Sequence, residues 1–185
     1  MNSKVTHINV GNLAENCWFL ANEDTKEAVV IDPGAEPDRI CAAAEKHGWK
    51  ITAILLTHGH IDHMGACESL RTELGVKVYA LTEEEDLLLD AKKNLSVFIE
   101  RKVVTFEPDE LLRDGQELTL AGMKIQVIHT PGHTPGGCSY YVADAGCVFS
   151  GDTLFAESVG RSDFPGGSTS ALVRAVKEKL FLLPD

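Results

Sequence analysis

Three of the chain's seven histidines fall within six residues, in the segment Thr57-His58-Gly59-His60-Ile61-Asp62-His63-Met64-Gly65. His58, His60 and His63 offer imidazole nitrogens and Asp62 a carboxylate, a donor set suited to zinc, iron or manganese. Without an ion to organise them, imidazoles crowded at the end of an apolar strand would desolvate one another for no gain. Two further poles lie far along the chain. His133 stands within HTPGHTPGG, residues 129–137, where Pro131, Gly132, Pro135 and Gly136 fix a sharp loop. Asp152 offers a carboxylate from Ser150-Gly151-Asp152-Thr153, with Gly151 permitting close backbone approach. His129, inside or at the end of the preceding strand, reads as a packed or supporting residue.

Each pole follows a short apolar run. The run ITAILL, 51–56, is too short for a helix and apolar on both faces, as a central strand covered on both sides must be. The carboxyl end of such a strand is where open α/β sheets place their sites. Composition and turn residues predict further strands over 7–10, 17–21, 27–31, 76–80, 117–120, 123–128, 139–142 and 147–150. Helices are expected over 37–47, 65–74, 83–95 and 169–182, the first two ended by Gly48 and Gly75. This order suggests two sheets face to face with helices outside.

The 185 residues suit one compact domain, and 44% hydrophobic with 24% charged residues excludes a disordered chain. With 17 Lys plus Arg against 28 Asp plus Glu, the net charge of −11 repels phosphate backbones and anionic lipid heads. Neither nucleic acid nor membrane is therefore an expected partner. No apolar run reaches the ~20 residues of a spanning helix and residues 1–10 lack signal-peptide character, so a cytoplasmic protein is expected. Five scattered cysteines without a CxxC pair read as reduced, mostly buried thiols. There is no GxSxG elbow, no P-loop and no GxG for a dinucleotide.

In order along the chain, His58, His60, Asp62, His63, His133 and Asp152 reproduce the HxHxDH loop, later histidine and later aspartate of the metallo-β-lactamase superfamily, which this sequence resembles. Over essentially its whole length it is most similar to the glyoxalase II-like hydrolases, through IDPG (31–34), LLTHGHIDHMG, HTPGHTPGG, GDTLF and GRSDFPGG (160–167). The resemblance implies a four-layer αβ/βα sandwich, two mixed β-sheets with helices on the outer faces. It also implies that His58, His60 and His133 hold a first metal, Asp62 and His63 a second, and that Asp152 bridges the two. One or two divalent ions are expected, zinc first, with iron or manganese accepted by the same donors. The family pattern continues beyond the last helix into a strand and a loop whose histidine completes the second site. As written, the chain lacks that strand and loop, so the second ion is expected to bind weakly.

The implied reaction is hydrolysis of a small-molecule thioester such as an S-acylglutathione, with lactoylglutathione as the reference substrate. A divalent pair supplies a water whose pKa is lowered toward ~7, so no side-chain nucleophile is needed. Asp62 would orient that water or carry its proton, and a thiol leaving group with pKa ~8.5 departs with little help. The loop 155–167 is the expected local substrate contact, with Phe155 offering apolar surface and Arg161 either binding a carboxylate or pairing with Asp163 or a backbone carbonyl. Two other readings stand beside this one. Persulfide dioxygenases of the same superfamily use a single Fe(II) on the equivalents of His58, His133 and Asp152. A metal-binding domain without catalysis, or an inactive fragment, would carry the same ligands.

Overall fold

The computed structural model describes residues 2–184. The chain opens as an antiparallel meander of β1 (Ser3–Val10), β2 (Glu15–Asn22) and β3 (Glu27–Ile31). Helix α1 (Pro37–Lys46) then crosses to β4 (Lys50–Leu55), which lies parallel to β3 on one side and to β5 (Lys77–Leu81) on the other. Between β4 and β5 come the one-turn helix α2 (Ile61–Met64) and helix α3 (Cys67–Leu74). A three-residue strand β6 (Glu110–Leu112) closes the mixed sheet in the order β1-β2-β3-β4-β5-β6. The second sheet has the order β10-β9-β8-β7, from β7 (Glu117–Leu120), β8 (Met123–His129), β9 (Cys138–Val142) and β10 (Cys147–Phe149). Of the two sheets expected to be mixed the first is; the four strands of the second pair antiparallel throughout.

Strand periodicity explains the layers. On β3 and β4, Ala28, Val30 and Ile54 face one way and join Ile40 of α1 and Cys67 and Leu70 of α3. Their neighbours Val29, Ile31, Ala53 and Leu55 face the other way and meet Met123, Ile125, Val127 and Tyr140 of the second sheet. Each buried Leu, Ile or Val contributes about 1.5–3 kcal/mol, and the end of β4, Ala53 to Leu55, is buried and apolar on both faces. Helix α6 (Thr169–Glu178) begins at Ser168, whose hydroxyl caps the Ala171 amide. It is tied to the end of β8 by Lys179, whose Nζ donates to the His129 carbonyl at 2.7 Å.

One expected helix is absent. Over 83–95 the chain forms a 3-10 turn, the short α4 (Glu85–Leu88) and a turn leading into α5 (Ser96–Ile99). Side chains compete for the backbone there: Asp90 accepts from the amides of Lys92 and Lys93, and buried Asn94 donates to the Leu88 and Val104 carbonyls. The helix expected over 169–182 likewise ends early, its last residues 180–182 forming a 3-10 turn. Phe155 lies in a two-strand hairpin, β11 (Leu154–Phe155) with β12 (Ser158–Val159). The five cysteines are unpaired and three of them are buried.

Candidate metal centre

The three poles meet because backbone sews them together. At the end of β3, Asp32 accepts from the Thr57 amide at 2.7 Å and from the Thr57 hydroxyl at 2.6 Å, fixing the exit of β4. From the second sheet, the Cys138 amide donates to the Thr57 carbonyl at 2.8 Å and fully buried Tyr140 donates to the Leu56 carbonyl at 2.6 Å. Glu84, almost wholly buried, accepts from the Gly59 amide at 2.9 Å through one carboxylate oxygen and from the Gly136 amide at 2.8 Å through the other. The Asp-Pro-Gly turn explains itself here, since a Cβ on Gly34 would stand 1.5 Å from the Asp62 carbonyl oxygen. Gly132 has φ +137° and lies so close to α6 that a Cβ would meet the Leu172 amide nitrogen at 2.3 Å.

These constraints converge the predicted side chains. His60 Nδ1 lies 2.9 Å from His133 Nε2, and donor atoms of His58, His60 and His133 all fall within 4.8 Å of one another. Asp152 faces two ways: one oxygen lies 3.5 Å from His133 Nε2, the other 3.4 Å from His63 Nε2. His63 Nε2 is also 3.9 Å from Asp62 and 3.3 Å from Glu15. Donors bound at ~2.0–2.2 Å to one tetrahedral ion stand about 3.3–3.6 Å apart, so the spacings of 3.3, 3.4 and 3.5 Å would suit edges of a coordination shell. Asp32 also falls within reach of His58 and His63, but its oxygens are engaged by Thr57 and by His63 Nδ1 at 3.0 Å. It is thus a supporting carboxylate that turns His63 Nε2 inward. The Arg161 carbonyl does the same for His133, 2.7 Å from Nδ1.

Electrostatics fit an ion at this place. His58 Nε2, His60 Nε2 and His63 Nε2 are buried without a hydrogen-bond partner. Burial, reinforced by neighbouring imidazoles, holds His58 far below the usual histidine range and pushes His60 down to about 3. Burial also lowers His133, against the pull of Asp152. These rings are therefore neutral and ready to ligate at pH 7. Burial would lower His63 too, but Asp32, Asp152 and Glu15 together raise it well above the ordinary value. Burial and the surrounding carboxylates push Glu15 up to about 7. Such a ring of acids around one imidazole calls for a cation.

Residues 10–184 match the family model of the metallo-β-lactamase superfamily. The chain belongs to the metallo-β-lactamase superfamily. Divalent-metal binding and hydrolase-type chemistry come with that membership. Among relatives, the chain is 38% identical to the probable metallo-hydrolase YqgX of Bacillus subtilis over 177 residues, covering 95% of this chain and 83% of YqgX. It is 34% identical to hydroxyacylglutathione hydrolase GloC of Haemophilus influenzae over 173 residues, covering 92% and 81%. Two superfamily structures superpose closely: BLEG-1 B3 metallo-β-lactamase, with TM-score 0.92, 36% identity and coverage of 98% and 88%, and TTHA1623 in a di-iron-bound form, with 0.84, 35%, 97% and 87%.

All six predicted ligands lie at the centre, while His129 lies apart, its ring bonded to the Pro135 carbonyl at 2.8 Å. Phe155 borders a cavity of about 540 Å³ that also opens onto Glu15, Trp18, Phe149 and Asp152. The Arg161 guanidinium pairs with Asp163 at 2.8 Å and lies over the Phe164 ring at 4.2 Å. Phe164 in turn stands edge-on to His60, with centroids 5.2 Å apart. No motif marks Glu15 or Glu84, which sit far from the histidine motifs in the chain. Asp32 was visible only within the IDPG segment, although its position after a strand next to β4 carried the information. Among the described residues no helix is long and apolar enough to cross a membrane.

Proposed function

We propose that this chain hydrolyses small thioesters of the S-acylglutathione class at a two-ion centre. His58, His60 and His133 would hold one divalent ion and Asp62 and His63 the other, with Asp152 facing both groups. The observation that carries this reading is the two-way carboxylate of Asp152, with one oxygen toward His133 and the other toward His63. Zinc suits the nitrogen-rich side, and iron or manganese suit the carboxylate-rich side. The hydroxyacylglutathione hydrolase relative supports the substrate class.

Bound divalent metal supplies an acidified water and an electrophile for the carbonyl oxygen. The chain's own residues do the rest. Asp62, partly open to solvent, accepts the water's proton as oxygen attacks the thioester carbon, and the C–S bond then breaks to release thiolate and acid. Asp32 and the Arg161 carbonyl keep His63 and His133 aimed inward. Phe155, with Trp18 and Phe149 across the cavity, offers apolar surface to the acyl or thiol portion.

The test is thiol release from S-lactoylglutathione, before and after chelation and after reloading with zinc, iron or manganese. Activity lost on chelation and restored by metal is expected. Oxygen uptake with glutathione persulfide and no thiol release would replace this reading with an Fe(II) oxygenase. A chelation-dependent loss of thermal stability without turnover of either substrate would leave a metal-binding domain alone.

A further inference from the structure

Glu15 belongs to no motif of the sequence, yet it reaches the centre from the first sheet's second strand. It is the first residue of β2, paired with Val10 at the end of β1. Its side chain is 17% exposed and places Oε2 3.3 Å from His63 Nε2. Donor atoms of Glu15, Asp62 and His63 all lie within 4.8 Å of one another. Among the described residues no lysine or arginine lies within ion-pair distance of Glu15, and its one ionic contact is His63. His63 Nε2 is itself fully buried and has no hydrogen-bond partner. A partly buried carboxylate and a fully buried ring nitrogen thus face the same point, together with Asp62 and Asp152.

Resting on the metal-centre reading above, we infer that Glu15 is a ligand of the second ion, beside Asp62, His63 and Asp152. The spacings of 3.3 Å from Glu15 and 3.4 Å from Asp152 to the same His63 nitrogen suit neighbouring ligands of one ion. The two positions then differ in character. The first is built on three imidazoles and the second on three carboxylates and one imidazole, so the second prefers the harder ion. Manganese at the second position with zinc at the first is the expected mixed form. Glu15 also lines the cavity beside Asp152, which puts this ligand where substrate enters.

The experiment titrates metal-free wild type, Glu15→Gln and Glu15→Ala with zinc and with manganese. Bound ions are counted by elemental analysis, bound manganese is followed by its EPR spectrum, and circular dichroism checks the fold. Wild type should take two ions. Both variants should keep the first ion at unchanged affinity and weaken the second by at least about tenfold. Two ions held equally tightly by wild type and by folded variants overturn the role of Glu15 while leaving the centre intact. A wild-type stoichiometry of one overturns it as well, with the first position preserved. No ion bound by wild type overturns the centre itself, and the role of Glu15 with it.

Discussion

Asp32 and His63 form a buried pair in which Asp32 Oδ2 lies 3.0 Å from the ring's Nδ1. Because Nδ1 is committed, Nε2 is the nitrogen left to face Glu15, Asp62 and Asp152. Asp32→Asn keeps the shape and removes the charge that holds the ring in this tautomer. The second ion should then bind roughly 10–100-fold more weakly while the first is unchanged. Competition with a chromogenic chelator measures both, and equal loss at the two positions would count against this division of labour.

The two positions should also differ in proton release. His58, His60 and His133 are held neutral at pH 7 by burial, so an ion binding them displaces no proton. His63 is raised well above the ordinary histidine range by its carboxylate neighbours, against burial, and is protonated without metal. The second ion must displace that proton, and any held by Glu15, whose carboxyl is pushed up to about 7 by burial, so its affinity rises with pH and the first ion's does not. Calorimetric titration in buffers of different ionisation enthalpy counts the protons. Release of one proton with the first ion rather than the second would refute the assignment.

Glu84 joins the two histidine loops and should matter more to stability than to chemistry. Glu84→Ala leaves the Gly59 and Gly136 amides without an acceptor, at about 1–3 kcal/mol each. Burial raises its folded pKa to about 7 from 4.5. The stability it contributes is therefore fully present below pH 4.5 and is lost as pH rises to about 7, by about 3 kcal/mol at most. Glu84→Gln loses one acceptor but never charges. Its deficit against wild type in urea unfolding of chelated protein should be largest near pH 5 and shrink toward pH 7.5. A deficit that grows over that range would contradict the assigned pKa.

Phe155 and Arg161 separate in the same way. Phe155→Ala should raise KM for a thioester roughly tenfold, with metal content unchanged. Arg161→Ala should change kcat/KM by less than about threefold, because its guanidinium is already held by Asp163 and the Phe164 ring. A large KM effect at Arg161 would mean that it leaves Asp163 to bind substrate carboxylate.

The clustering of the candidate donors was legible because His58, His60, Asp62 and His63 are concentrated in one short segment and the other poles follow apolar strands. The layer order was legible for the same reason, since the run ending β4 is apolar on both faces. What escaped was held by single polar contacts at long separation. Glu84 bonds Gly136 across 52 residues, and Glu15 meets His63 across sheet and loop; neither leaves a periodic trace. The helix expected over 83–95 failed because Asp90 and Asn94 spend their side chains on nearby backbone groups. Strand β6 is three residues long and pairs with β5 only through tertiary context.

Gly34 touches the backbone of Asp62 with no room for a single methyl group. A residue with no functional group and no contact with an ion thereby governs whether the centre can assemble. Selection for new substrates can reshape the cavity rim around Phe155, but this contact offers no slack. Loss of activity from a change at position 34 would look, in any survey of mutants, like the loss of a ligand.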